Sequence, residues 1–215
     1  MGAQCRWRNN PAMPEEHPPE PPFPADAAAD AAADSDAVLA RTRAWIDAAV
    51  IGLNLCPFAK AVQVKGLVRY VHCAATDTSA LREALADELR LLAATPIGQT
   101  ETTVLVHPGV LQDFLDFNDF LPQADRLLRK LHLDGEIQVA SFHPDYCFAG
   151  AEPGDIANAT NRSPYPTLHL IREASIDRAV AAFPAAEAIY ETNIATLRAL
   201  GAEGWAALAR HWSKG

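Results

Sequence analysis

Residues 102–142, TTVLVHPGVLQDFLDFNDFLPQADRLLRKLHLDGEIQVASF, contain two short apolar runs on either side of a long amphipathic pattern. The first run, TTVLV, is typical of a strand buried on both faces, and the last, IQVASF, also predicts a strand. Between them, apolar residues recur in steps of four and three, which is the spacing of a helix that packs one face on a core. Pro122 lies within this pattern and is expected to kink or split the helix. The order strand, helix, strand predicts a βαβ unit.

The alternation of strands and helices extends to both sides of this unit. A helix is predicted from Ser35, whose hydroxyl can cap it, to about Cys56, followed by a strand over residues 66–73 and a helix marked by leucines at 81, 85, 89 and 92. A fourth strand is predicted over 167–171, and helical stretches over 175–183, 184–200 and 203–212. We therefore predict an α/β fold with a small, mainly parallel sheet of three to four strands, flanking helices and a C-terminal helical segment. A ferredoxin-like arrangement is the alternative if 167–171 pairs antiparallel.

Composition divides the 215 residues into two parts. Residues 1–34 are rich in Pro, Ala and Asp and predict a disordered tail, and residues 35–213 predict a single domain. The net charge of −9, without clusters of Lys or Arg, argues against nucleic acid as a partner. No apolar run is long enough to span a membrane. Isolated cysteines and the lack of a secretory signal predict a cytoplasmic protein.

Two histidines stand directly after predicted strands, each before a proline: His107-Pro108 and His143-Pro144. Ligands of open α/β sheets bind beyond the carboxyl ends of the strands, so we expect both imidazoles at one edge and take them as candidate acid–base residues. The alternative is that each His-Pro is a turn device whose imidazole bonds a local carbonyl.

The long polar segment 141–173 has little periodicity and predicts a functional loop. Its best anion-binding candidate is Arg162, whose planar guanidinium can bind a carboxylate or phosphate, while Asn158, Asn161 and Tyr165 would orient the substrate. Equally, Arg162 can tie the loop to its own acidic residues. His169, in the fourth predicted strand, fits a buried structural histidine better than a ligand-binding one, unless its face lines the site.

Several motifs together resemble an uncharacterised bacterial family known only as a domain of unknown function: NLCPFA (54–59), VHP (106–108), DFNDFL (116–121), ASFHP (140–144) and TNRSPYPTLHL (160–170). The resemblance covers about residues 45–200 and implies no activity or catalytic residue. Cys147 departs from it, standing where we expect a glutamine. Cys56 lies within the first motif and is a candidate nucleophile if its pKa is lowered. Its alternative role is packing.

The sequence predicts no metal site, because Cys56 and the histidines lack the close spacing of zinc motifs. It identifies no cofactor, and no glycine-rich loop for phosphate follows a strand. Two functions from different classes remain. One is an enzyme acting on a small anionic metabolite through His143, His107 and Arg162. The other is a non-catalytic ligand-binding or regulatory module that uses the loop 143–169. The two differ in whether these side chains line one concave pocket.

Overall fold

A computed structural model describes residues 35–182 and 188–213. The predicted tail and Pro184, the predicted start of a helix, lie outside the described residues. In chain order the elements are α1 (Ser35–Trp45) with a π-helical continuation (Ile46–Ile51), α2 (Ala59–Val64), β1 (Val68–His72), α3 (Thr78–Ala94), β2 (Thr102–Val106), α4 (Phe114–Lys130), β3 (Ile137–Phe142), a 3-10 helix (Ile156–Asn161), β4 (Thr167–Arg172), α5 (Glu173–Ala182) and α6 (Ile189–Ser213).

The four strands form one mixed sheet in the order β1-β2-β4-β3. β1 and β2 are parallel, whereas β4 lies between β2 and β3 and is antiparallel to both. The prediction of a mainly parallel sheet is therefore wrong in its strand pairing, although β1, β2 and β3 share one direction. The physical reason is the connection from β3 to β4, which contains only the short 3-10 helix and so does not cross back over the sheet. The ferredoxin-like alternative also differs, because that fold has the order β-α-β-β-α-β.

Helices cover both faces of the sheet and create two cores. Leu105 of β2 and Leu168 of β4 pack with α3 and α4 on one face. The neighbouring residues Val104 and Val106 pack with α1 and α6 on the other face. All five residues of β2 are buried, as the β-branched run predicts, because the strand carries a core on each side. No helix among the described residues is long and apolar enough to cross a membrane.

Two helix boundaries differ from the periodicity, and one agrees with it. The apolar spacing of the helical pattern begins at Val110, but α4 begins at Phe114, because the Asp113 carboxylate accepts hydrogen bonds from the first-turn N–H groups of Leu115 and Asp116. α4 also runs through Pro122 as one helix, so Pro122 does not split it, and the alternative, a kink, stays a prediction. In α6, Gly201 has φ 68° and interrupts the helix, which agrees with the break predicted between the helical stretches 184–200 and 203–212.

Candidate functional site

The carboxyl ends of β1, β2 and β3 share one edge of the sheet with the start of β4. Val106 and Phe142 both pair with Thr167 in the sheet, so the residues that follow β2 and β3 lie on either side of β4. The backbone N–H of His107 donates to the Pro166 carbonyl at 3.0 Å. The structure thus places His107 and His143 at the same edge, as the strand-end pattern predicts.

Both histidine side chains are fully buried, at 0% exposure. The Phe117 ring of α4 contacts both imidazoles, with its centroid 5.8 Å from that of His107 and 5.2 Å from that of His143. Phe114 also contacts His143, at 5.5 Å between ring centroids. The two imidazoles therefore lie inside the core between the sheet edge and α4, and not on an open surface.

Hydrogen bonds define one neutral form of each imidazole. The backbone N–H of Asp145 donates to Nδ1 of His143 at 3.0 Å, so the ring proton is on Nε2, which donates to the Leu111 carbonyl at 3.2 Å. Nδ1 of His107 donates to the Val110 carbonyl at 3.0 Å, while its Nε2 is buried and has no hydrogen-bond partner among the described residues. Each imidazole thus bonds a carbonyl of the loop between β2 and α4.

Burial lowers the pKa of both histidines to about 4. The backbone hydrogen bonds oppose this effect, as does the charge of Asp113 in the case of His143. For His107, the neighbouring His143 adds to the lowering. Both imidazoles are therefore uncharged at neutral pH. Their pKa lies well below the range near neutral pH in which a histidine is most effective as an acid or base.

The loop held by these imidazoles, residues 108–113, has an unusual backbone. Leu111 has φ 58°, a left-handed conformation that bulky L-residues rarely adopt. Gly109 packs so closely on the β1–α3 connection that an added Cβ would lie 2.9 Å from the Ala75 carbonyl oxygen. The Gln112 side chain donates to the Pro108 carbonyl at 2.7 Å. This loop therefore has a specific conformation that depends on its neighbours.

The loop forms one wall of a cleft of about 600 Å³ at the carboxyl ends of β1 and β2. Residues 76–78 at the start of α3 and the first turns of α4 form the rest. Four aspartates line it, whereas none of the described lining residues is Lys, Arg or His; the four are Asp77, Asp113, Asp116 and Asp119. The carboxylates of Asp77 and Asp113 cap α3 and α4. Among residues 35–182 and 188–213, no group of three or more His, Cys, Asp or Glu is arranged to hold a metal ion.

Arg162 lies in the loop between β3 and β4 and donates hydrogen bonds to backbone carbonyls of the same loop. Only 8% exposed, it donates from Nε to the Tyr146 carbonyl at 3.2 Å and from Nη2 to the Pro153 carbonyl at 2.8 Å. Burial lowers its pKa, which the nearby charge of Asp145 opposes. Arg162 does not line the cleft, and its guanidinium is largely committed to backbone carbonyls.

The two asparagines make similar internal bonds. Asn158 is fully buried; it accepts from the Phe148 N–H at 3.0 Å and donates to the Glu152 carbonyl at 2.9 Å. Asn161 donates to the Ser141 carbonyl at 3.1 Å. The loop has no strand whose ladder could pair its buried backbone groups, and such groups need a hydrogen-bond partner. The two asparagine side chains supply partners and so help to order the loop.

The other predicted site residues lie apart from the cleft. Tyr165 is buried in the α1/α6 core and its hydroxyl accepts from Arg41 at 3.1 Å. His169 lies opposite Val104 in the sheet, and its Nε2 donates to Thr102 Oγ1 at 2.7 Å; burial lowers its pKa to about 4. Cys56 follows the π-helical segment, and burial raises the pKa of its thiol. A thiol with a raised pKa is a weak nucleophile at neutral pH.

Sequence reasoning missed the cleft and the aspartates that line it. A signal was present for two of them, because Asp77 and Asp113 each precede an amphipathic helical pattern, where an N-cap is expected. The close approach of Gly109 to Ala75 had no such signal, because residues 34 positions apart along the chain meet only through the folded sheet.

Comparison with protein families identifies the family of this chain, whereas comparison with individual proteins does not. No curated protein and no solved structure matches the chain. The model of a family described as "Protein of unknown function (DUF1415)" matches residues 37–207. These residues include most of α1, all of α2 to α5, most of α6, the cleft and both histidines. The chain therefore belongs to the family of proteins of unknown function DUF1415.

Proposed function

We propose that this protein is a non-catalytic binding module that takes a small polar ligand, uncharged or positively charged, in the cleft at the carboxyl ends of β1 and β2. The observation that carries the proposal is that two buried, neutral histidines hold the loop 108–113 that forms the wall of this cleft. Their imidazoles support the site from behind and are not themselves exposed in it.

The position of the cleft supports a binding role. Ligands of open α/β sheets bind in crevices outside the carboxyl ends of the strands, and this cleft lies at the ends of two adjacent parallel strands. Its volume of about 600 Å³ lies within the usual range for small-molecule sites, and because the cleft is wide open to solvent, a bound ligand would stay partly exposed. Gly109 allows the β2–α4 loop to pack closely on the β1–α3 connection. The shape of the cleft therefore depends on the contact between these two loops.

The charge of the lining supports the class of ligand. Asp116 and Asp119 are exposed and project from the first turns of α4, without a cation among the described lining residues. Carboxylates accept hydrogen bonds from amines and hydroxyls and repel anions. An amine or a polyhydroxylated molecule therefore fits this lining better than a phosphate or a carboxylate.

A thermal-shift comparison tests the proposal directly. The protein is measured with putrescine, agmatine and myo-inositol, and with citrate and inorganic phosphate at matched ionic strength. We expect at least one of the first three to raise Tm in proportion to the logarithm of its concentration, as binding to the folded state requires.

Paired variants locate the effect. Replacing Asp116 and Asp119 together by Asn should abolish the shift, whereas Asp125→Asn, on the same helix but outside the cleft lining, should preserve it. The proposal fails if no amine or polyol stabilises the protein, or if the shift survives the double replacement.

A second function is favoured by one observation, the buried Nε2 of His107 that lacks a partner among the described residues. An unpaired buried acceptor is costly to maintain, and such a nitrogen could act as the base of an enzyme on a small anionic metabolite. Arg162 would serve as its anion clamp only after releasing the Tyr146 and Pro153 carbonyls, because it does not line the cleft. Stabilisation by citrate or phosphate alone, abolished by Arg162→Lys, would favour this enzyme over the binding module.

A further inference from the structure

Two imidazoles from different strand ends hold two successive carbonyls of one loop. His107 follows β2 and bonds the Val110 carbonyl, while His143 follows β3 and bonds the Leu111 carbonyl. The loop between Pro108 and Asp113 belongs to no helix or strand. The loop is therefore anchored by these two side-chain bonds together with the burial of Val110 in the core and the packing of Leu111 against it.

The backbone at the held position favours release. Leu111 has φ 58°, which brings the Cβ of an L-residue close to its own backbone. Such a conformation persists only when the surrounding structure imposes it. When the loop opens, Leu111 can return to an ordinary backbone conformation, which lowers the free energy of the open loop.

We propose that His107 and His143 form an acid-sensitive latch, so that proton uptake by either imidazole releases residues 108–113 from the sheet edge and removes one wall of the cleft. The proton comes from solvent, and the imidazole that takes it up becomes an imidazolium cation. The latch is a property of the unliganded protein and does not depend on what the cleft binds.

A proton leaves the bonds to the Val110 and Leu111 carbonyls in place, because each imidazolium still donates there. What it disrupts is the rest of each imidazole's buried surroundings. Nδ1 of His143 accepts from the Asp145 N–H at 3.0 Å, so a proton at Nδ1 would place two donors against each other. Nε2 of His107 is buried without a partner among the described residues, so a proton there would be an uncompensated buried charge.

The charged groups around the pair determine how the two protonations interact. Asp113, at the start of α4, faces His143 and favours its cation. Asp145 lies two residues after His143 in sequence, and burial raises its pKa, an effect that the charge of Arg162 opposes and that of Asp113 increases. The residues of α4 that contact the imidazoles, Phe114 and Phe117, carry no charge. A charge on His143 lowers the pKa of His107, so two imidazolium cations repel each other when the loop is closed. Opening of the loop separates them and relieves this repulsion.

The size of the effect follows from proton linkage. In the closed loop each imidazole has a pKa of about 4, whereas an exposed histidine has a pKa of about 6.5. Lowering the pH from 7.5 to 5 should raise the equilibrium constant for opening about 30-fold for one histidine and about 10³-fold if opening frees both.

Hydrogen exchange measured by mass spectrometry tests the latch. Peptides that cover residues 107–117 are compared with peptides from the centre of α3, which report global unfolding, at pH 7.5 and pH 5 after correction for intrinsic rates. We expect the loop peptides at pH 5 to exchange far faster than the α3 peptides, with a ratio that increases at least 30-fold between the two conditions.

Variants assign the effect to the imidazoles. His143→Gln keeps a neutral donor but takes up no proton, and should reduce the pH effect on loop opening by about 30-fold. His211→Gln, at an exposed position of α6, should leave it unchanged. If His143→Gln does not fold, His107→Asn makes the same test, because its amide replaces Nδ1–H.

The wild-type protein alone can overturn the proposal. Loop peptides that exchange only together with α3, or whose extra exchange is the same at both pH values, would show that the loop does not open separately in acid. An unchanged pH effect in the folded histidine variants would show that other groups control the opening.

Discussion

Replacing Arg162 tests whether its guanidinium organises the loop between β3 and β4. The side chain is 8% exposed and donates to the carbonyls of Tyr146 and Pro153. Hydrogen bonds that involve a charged group contribute about 1.5–3 kcal/mol each. Two such bonds, reduced by the cost of burying the guanidinium, give an expected loss of about 3 kcal/mol in the free energy of unfolding for Arg162→Met. That loss corresponds to a fall in Tm of about 6–12 °C for a domain of this size.

The assay is urea unfolding of the ligand-free protein, monitored by circular dichroism. Arg162→Lys should lose about half as much as Arg162→Met, because an ammonium can reach one carbonyl but not both. Arg126→Met, at an exposed position of α4, is the control and should stay within about 0.5 kcal/mol of wild type. If both Arg162 variants are as stable as the control, the guanidinium does not hold the loop, and its role as an anion clamp becomes the better explanation.

Two further predictions concern the edge of the sheet. Gly109→Ala should lower the free energy of unfolding by about 1–3 kcal/mol in urea titrations, because its Cβ would lie 2.9 Å from the Ala75 carbonyl oxygen; an unchanged midpoint would refute the close approach. The second prediction concerns global stability in acid. His107 and His143 have a pKa lowered to about 4 in the folded protein, so the unfolded chain binds more protons below pH 6.5, and the stability present above that pH should decline as the pH falls towards 4. Between pH 7.5 and pH 5 the loss should be about 2 kcal/mol per histidine, and His143→Gln should show a loss smaller by that amount; an equal loss in the two proteins would contradict it.

The strands were predictable because their signals are local. β2 is a β-branched run with no polar break, and the sequence alone predicts burial on both faces. The position of β4 was not predictable in the same way. Whether Thr167–Arg172 returns parallel or antiparallel depends on whether residues 143–166 cross the sheet, and their sequence shows only that they lack a long helix. The mixed sheet follows from that short connection.

The candidate site illustrates the same limit. The sequence predicts that His107 and His143 meet at one edge, because strand direction determines where each strand ends. It left open whether their imidazoles serve chemistry or bond local carbonyls, and the geometry favours the second alternative through Val110 and Leu111. The polarity of residues 141–173 predicted a site, yet Arg162 and Asn158 bond the loop itself. A polar loop needs internal bonds to be ordered, and sequence cannot separate that need from ligand binding.

The most direct test of the account is the protonation of the two imidazoles at pH 7.5, measured by long-range ¹H–¹⁵N correlation spectroscopy on histidine-labelled protein. We expect both rings to be neutral, with the proton of His143 on Nε2 and that of His107 on Nδ1. We also expect neither ring to titrate above pH 5.5, because each has a pKa of about 4. An imidazole that titrates between pH 6 and pH 7, or that carries its proton on the other nitrogen, would contradict the claim that these histidines hold the wall of the cleft.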